Sequence, residues 1–179
     1  LGYMIGETDR LNRSVLQLLD FSRPVPEQTR DVDLSELLET MGQMLERQYS
    51  GGQLRVATRI EPKLWLRDSS PEIIKQVVLN LTLNAVQAMG ENGEIRLAAE
   101  GVSGGKIVFA VTDQGPGIPE ALHEKIFEPF FTTKQRGTGL GLAIVRKNVR
   151  HLGGEIVVES PVEEGRGTRM VVTLPAGIK

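Results

Sequence analysis

The stretch that most limits what this chain can fold into is Gln76-Val-Val-Leu-Asn80-Leu-Thr-Leu-Asn84-Ala-Val-Gln87-Ala88. It reads as one helix, apolar on most sides. Gln76, Asn80, Asn84 and Gln87 recur at i, i+4, i+8 and i+11, so they line up as a polar stripe along one edge. Asn is a poor helix-interior residue, and a buried amide without a partner costs roughly 1–3 kcal/mol. A helix made for a core that still carries this stripe has two explanations. One is a solvated edge or a buried amide network. The other is a polar wall facing a ligand, with an Asn carbonyl oxygen offered to a hard cation such as Mg²⁺.

The rest of the chain supplies helices and strands in alternation. Leu1, Met4, Thr8, Leu11, Val15, Leu18 and Ser22 follow spacings of three and four, so residues 1–22 read as a helix with a broad apolar face that needs other helices against it. Pro24 and Pro26 stop it. The spacing predicts a second amphipathic helix over 34–49 and a strand over 54–60. A short extended piece around Trp65 follows. Pro71 opens the Asn-bearing helix behind the capping candidates Ser69 and Ser70, and Gly90-Glu-Asn-Gly93 ends it. Residues 94–100 and 106–113 form a strand pair turned at Ser103-Gly104-Gly105. An irregular stretch over 114–137 leads to a helix from about Thr138 to Leu152, and strands at 155–160 and 167–174 close the chain. This order predicts an α/β two-layer sandwich, one mixed sheet covered on one face by three helices and preceded by an N-terminal helix. The expected divisions are 1–24 as an N-terminal helical part, 25–33 as a linker, and 34–179 as the main domain. The chain starts at Leu1 in mid-pattern, which reads as a piece of something longer.

Composition narrows the function. The net charge of −2 comes without a strongly basic block, which argues against tight nucleic-acid binding. Without Cys, neither disulfides nor thiolate metal sites can form. No apolar run reaches membrane-spanning length.

Three further segments carry chemistry. Asp113-Gln-Gly115-Pro-Gly117 follows a strand on which Ile107, Phe109 and Val111 share a face with Asp113. The carboxylate therefore extends an apolar face and needs a hydrogen-bond donor; an adenine amine would be one, a strand-ending turn another. Gly115 and Gly117 remove side chains where a flat ring could approach. Gly137-Thr138-Gly139-Leu140-Gly141-Leu142 runs into a helix, whose open N–H groups and dipole favour phosphate; the same glycines could serve as a hinge. Between them, Ile126-Phe127-Glu-Pro-Phe130-Phe131-Thr-Thr-Lys134 holds three of the five Phe, which suggests a lid anchored by an aromatic patch. Lys134 and Arg136 sit beside the glycine turn, either as phosphate-binding cations or as solvated surface charges.

In this order the motifs resemble the catalytic, ATP-binding domain of sensor histidine kinases of two-component systems. Asn80-Leu-x-x-Asn84-Ala-x-x-Ala88 is similar to the family's N box and Asp113-x-Gly115-x-Gly117 to its first glycine box. Phe127-x-Pro129-Phe130-Phe131 is similar to its F box and Gly137-Thr-Gly139-Leu-Gly141-Leu to its second glycine box. Gly165-Arg-Gly167-Thr168 resembles a further glycine motif. Arg10-Leu11-Asn12 and Leu18-Leu19-Asp20-Phe21-Ser22-Arg23-Pro24 resemble the end of the second dimerisation helix.

The resemblance implies a Bergerat-type ATP fold with Mg-ATP as ligand. Asn84 would ligate Mg²⁺, Asn80 would contact metal or phosphate, and Gln87 would lie beside them where many relatives carry a cation. Asp113 would take the adenine amine, with Gly115, Gly117 and Ile118 lining the base and Thr168 supporting that side. Lys134, Thr138, Gly139, Leu140, Gly141 and Leu142 would hold the phosphates, with Asn80 and Lys134 as the catalytic pair. The family's acceptor His lies upstream of anything in this sequence. His151 reads as a helix C-terminal cap and His123 as a lid surface residue. The implied partners are that acceptor helix, a response-regulator receiver domain and a second copy in a homodimer. The implied setting is cytoplasmic, compatible with a membrane-anchored parent. Gyrase- or chaperone-type hydrolysis is disfavoured, because those relatives place a Glu at the position of Asn80. A nucleotide-responsive interaction module is the remaining alternative.

Overall fold

In the computed structural model, residues 28–49, 53–90, 92–134, 137–163 and 165–177 are described. The expected helix over 1–22 and Arg136 lie outside them. The described elements are β1 (Arg30–Asp33), α1 (Leu34–Gln48), β2 (Gln53–Ile60), β3 (Trp65–Ser69), α2 (Pro71–Met89), β4 (Asn92–Val102), β5 (Lys106–Asp113), α3 (Gly141–His151), β6 (Glu155–Glu159) and β7 (Thr168–Pro175).

Five strands make one sheet in the order β2-β4-β5-β7-β6. β2 and β4 are parallel and every other neighbouring pair is antiparallel. The mixed sheet follows from the connections. Helix α2 carries the chain from β2 over to β4, as a parallel pair requires, whereas the short glycine turn after Val102 allows only a hairpin into β5. Ile95, Leu97 and Ala99 of β4, Ile107, Phe109 and Val111 of β5, and Met170, Val172 and Leu174 of β7 alternate inward and are all buried. They meet Leu34, Leu37 and Leu38 of α1, Ile74, Val78 and Leu81 of α2, and Val145 and Val149 of α3 in one core. Each Val, Leu, Ile, Met or Phe among them contributes about 1.5–3 kcal/mol on burial. The two-layer sandwich expected from the sequence is the one that forms.

Local signals account for the helix ends. Asp33 caps α1 by accepting the Glu36 N–H at 3.1 Å. Of the two capping candidates before Pro71, Ser70 does the work, accepting the Ile73 N–H. Gly90, at φ 63°, closes α2 in the left-handed conformation that glycine adopts without strain.

The structure differs from the sequence expectation between residues 30 and 33. The last part of the expected linker is strand β1, paired antiparallel with β3 in a separate two-stranded sheet. Four residues, the first two exposed, give too little periodicity to read; the pairing needs Trp65–Ser69, which lies far along the chain. The last helix is also shorter than expected, starting at Gly141 rather than Thr138.

Candidate functional site

The Asn-bearing edge of α2 faces α3 and the segment before it. Asn80 donates Nδ2–H to the Gln76 carbonyl at 3.0 Å, which turns its Oδ1 toward α3. A Cβ placed on Gly141 would stand 3.6 Å from both Asn80 Oδ1 and Asn84 Nδ2. The N-terminus of α3 therefore abuts the two asparagines, and the missing side chain of Gly141 leaves the gap between them open. No side chain caps α3. Its first intrahelical bond runs from the Ile144 N–H to the Leu140 carbonyl at 2.9 Å, so the N–H groups of Gly141, Leu142 and Ala143 have no carbonyl of their own helix to bond. Leu140 is buried and Leu142 packs against the core, so these two residues can act on a ligand only through their backbones.

The stripe divides in two. Gln76 is used up structurally: its Oε1 accepts from Asn148 Nδ2 of α3 at 2.8 Å, and Asn148 is itself buried. Asn84 and Gln87 instead face the lid. Lys134 reaches across from the lid and donates Nζ–H to Gln87 Oε1 at 2.9 Å and to Asn84 Oδ1 at 3.3 Å. The residue as a whole is solvent-exposed, yet desolvation of its ammonium between these amides lowers its pKa below the usual lysine value, partly offset by the charge of Asp113.

At the other end of the cleft, Asp113 ends β5 with its carboxylate on the inward face, 8% exposed. It accepts the Gly115 N–H at 2.8 Å and a backbone N–H from Thr168. Burial pushes its pKa above the ordinary carboxylate value; the two N–H donors and Lys134 pull the other way. Two bound N–H groups do not fill the four lone-pair sites of a carboxylate, so it can still take a further donor.

Gly115 and Gly117 are required by close approaches. A Cβ on Gly115 would meet Asp113 Oδ1 at 2.8 Å, and Gly117, at φ 81°, would place one 3.1 Å from Ser160 Oγ. Ile118 presents only its side chain. Its N–H donates to Ser160 Oγ at 2.7 Å, and its carbonyl faces His123 Nε2 at 3.0 Å. A carbonyl can only accept, so that nitrogen is the protonated one. His123 is therefore half-buried and bonded to the base of the lid rather than simply a surface residue.

Two expectations about the lid change. Phe127 is buried and Phe131 packs on the core, but Phe130 is 65% exposed with φ 68°. The anchor is Ile126 and Phe127, with Arg146 of α3 stacked 5.3 Å from the Phe127 ring centre. Phe130 instead crosses Gly139: its N–H donates to the Gly139 carbonyl at 3.0 Å, and a Cβ on Gly139 would lie 2.7 Å from Phe130 Cα. Gly139 is glycine for this crossing, whereas Gly141 is the one that leaves ligand space. The sequence reading did not single out Ser160 or Asn148; a Ser before Pro161 and an Asn late in a helix carry no local mark of their partners. His151 sits in the last turn of α3, a favourable place for a cation. Among the described residues no three His, Cys, Asp or Glu gather as a metal site.

Known proteins resemble this chain over its whole described length. The family model for histidine kinase-, DNA gyrase B- and HSP90-like ATPases matches residues 69–178. The chain belongs to that family. Within it, the similarity runs to sensor histidine kinases. The chain is 39% identical over 175 residues to the sensor histidine kinase ZraS of Escherichia coli O157:H7, covering 98% of this chain and 38% of ZraS. It is 37% identical over 177 residues to the signal transduction histidine-protein kinase AtoS of Escherichia coli strain K12, covering 98% of this chain and 28% of AtoS. It therefore spans well under half the length of these curated relatives.

Among solved structures, the catalytic domain of histidine kinase ThkA superposes with a TM-score of 0.75 at 35% identity, covering 83% of this chain and 96% of that one. Full-length ShkA in complex with AMPPNP gives 0.80 at 27% identity, covering 95% and 36%. ThkA in complex with the response regulator TrrA gives 0.78 at 31% identity, covering 98% and 50%. The histidine kinase resemblance read from the motifs is borne out, and no helix among the described residues is long and apolar enough to cross a membrane.

Proposed function

We propose that this chain is the ATP-binding catalytic part of a sensor histidine kinase, which transfers the γ-phosphoryl group of Mg-ATP to a histidine on a dimerisation helix. The observation that carries this reading is the open N-terminus of α3 set against the amides of Asn80 and Asn84, with Gly141 leaving the space between. The buried Asp113 at the far end of the same cleft, with lone pairs beyond its two backbone N–H bonds, supplies a base-recognition partner. The AMPPNP complex of ShkA and the TrrA complex of ThkA support a nucleotide ligand and a receiver-domain partner.

Each residue then has a role. Asp113 accepts from the adenine amine, with Gly115, Gly117 and Ile118 along the base and Thr168 beside it. Backbone N–H groups from Gly139 to Leu142, with Thr138 and Lys134, bind the phosphates. Mg²⁺ fits the donor set: Asn84 Oδ1 already holds a cation, the Lys134 ammonium, and amide oxygens are hard ligands. Asn84 and Asn80 would hold it, and the ion would neutralise charge on the triphosphate. Gln87 competes with that arrangement, because it helps hold Lys134 over Asn84. Catalysis here is positioning and charge stabilisation of an in-line transfer. Asn80 cannot act as a general base, since an amide does not take a proton near neutral pH; slow hydrolysis in the absence of an acceptor follows.

The test is transfer of label from γ-labelled ATP with Mg²⁺ to a supplied dimerisation domain carrying the acceptor helix. Acid-labile, alkali-stable label on that domain is the expected result. ATP binding without any transfer would leave a nucleotide-responsive interaction module, and rapid phosphate release without acceptor would make the chain a hydrolase.

A further inference from the structure

The base end of the cleft is joined by one hydroxyl. Ser160 Oγ accepts the Ile118 N–H at 2.7 Å and donates to the Gly167 carbonyl at 2.8 Å. The N–H must be met by an oxygen lone pair, so the single hydroxyl proton goes to Gly167 and the rotor has one orientation. Gly167 in turn donates its N–H to the Gly115 carbonyl at 2.8 Å. Gly167 sits at φ 83° and a Cβ there would stand 2.7 Å from the Asp113 carbonyl oxygen. The turn after β5 and the turn before β7 therefore close around Asp113, and Ser160 sets their separation. Two ion pairs also tie this hairpin, Arg96–Glu163 at 2.6 Å and Arg169–Glu159 at 3.4 Å, both between well-exposed groups. Such a pair contributes little, being screened by water and salt. The part-buried hydroxyl is the stronger restraint.

We propose that Ser160 is a positioning residue for the nucleotide base: it acts through Ile118 and Gly167 to hold the wall and floor against which the base meets Asp113. This rests on the reading of the cleft as an ATP site. A structural role alone would weaken every ligand together; a positioning role confined to this end would spare binding that depends only on phosphates.

The experiment measures the affinity of Ser160→Ala and Ser160→Cys for Mg-ATP, Mg-GTP and Mg-tripolyphosphate by calorimetry, alongside the unaltered chain. Cys keeps the shape of Ser but hydrogen-bonds weakly, so it serves if the Ala variant does not fold. The expected result is a loss of about tenfold in ATP affinity for both variants. Preference for ATP over GTP should narrow, and tripolyphosphate affinity should stay within about twofold. Unchanged ATP affinity in a folded variant overturns the proposal, and so does an equal loss for ATP and tripolyphosphate. Failure of both variants to fold also overturns it, because the hydroxyl would then be purely structural. If the unaltered chain itself binds no ATP, the reading of the site fails rather than the role of Ser160.

Discussion

The two ends of the cleft are built on different principles. At the base end, Asp113, Gly115, Ile118, Ser160, Gly167 and Thr168 are held by backbone-based bonds between neighbouring strand ends, around a buried carboxylate. At the phosphate end, Lys134, Asn84 and Gln87 are joined by side-chain bonds between solvent-accessible groups. The first arrangement is organised before any ligand arrives, so little ordering is needed on binding. On the proposed function the second would be exchanged, with Lys134 giving up Asn84 Oδ1 when a metal ion takes it. The proposed site would thus be rigid where a base is told from its competitors and exchangeable where charge is gathered.

Substitutions can break or sharpen this contrast. The largest effect is expected at the phosphate end with Asn84→Ala. Mg-ATP affinity should fall on the order of a hundredfold, close to 2.8 kcal/mol at 1.4 kcal/mol per factor of ten. The ligand-free melting temperature should move by no more than about 2 °C, because Ala is a better helix former than Asn at this half-buried site. Calorimetry paired with thermal unfolding checks this; matching losses in both would make Asn84 a structural amide.

Asp113→Asn comes next, with an ATP affinity loss of about ten- to fiftyfold and a collapse of the preference for ATP over GTP. Its stability effect has the opposite sign. The folded-state pKa of Asp113 lies above its unfolded value, so the folded state binds more protons in the interval between the two. Stability therefore falls as pH rises through that interval, and the full penalty is present above it. Removing the charge should raise the ligand-free melting temperature near neutral pH, with the gain shrinking as pH drops into the acid range. A variant that is less stable at neutral pH by the same margin as at low pH would show that the carboxylate charge is not the source of the penalty.

Lys134→Ala should weaken Mg-ATP by about five- to tenfold, less than Asn84→Ala because the backbone N–H groups at the start of α3 would still hold the phosphates, and ATP-over-GTP preference should not change. A changed preference would couple the two ends. The smallest effect is that of Gln87→Leu. Losing one acceptor for Lys134 should speed hydrogen exchange of the lid amides over residues 130–134 in the nucleotide-free chain by about two- to threefold, on the scale of a single side-chain pair. Mg-ATP affinity should tighten or stay level, since Lys134 is then freer to leave Asn84. Slower exchange, or a marked loss of affinity, would assign Gln87 to the phosphates directly.

Much of the molecule was legible in the chain because it is coded locally. The polar stripe at Gln76, Asn80, Asn84 and Gln87 is a matter of helical period. The inward run that ends at Asp113 is strand alternation, and Ser70-Pro71 and Gly90 mark the helix ends by their own backbone preferences. The layer order followed from these, and so did the family resemblance. What the stripe does was not legible: Gln76 binds Asn148 across to α3, while Gln87 binds Lys134 from the lid. Nothing in the period distinguishes the two glutamines.

The sequence by itself determined which residues could face one another on each element, since spacing along a helix or strand sets the face. Only the tertiary structure decided what lies opposite. It made Ser160 the bond between two glycine turns, sent Phe130 outward over Gly139, and paired Arg30–Asp33 with Trp65–Ser69. Each of these is a contact between segments separated along the chain. It is stabilised by groups whose identities carry no local signal, and it exists only once the core has brought those segments together.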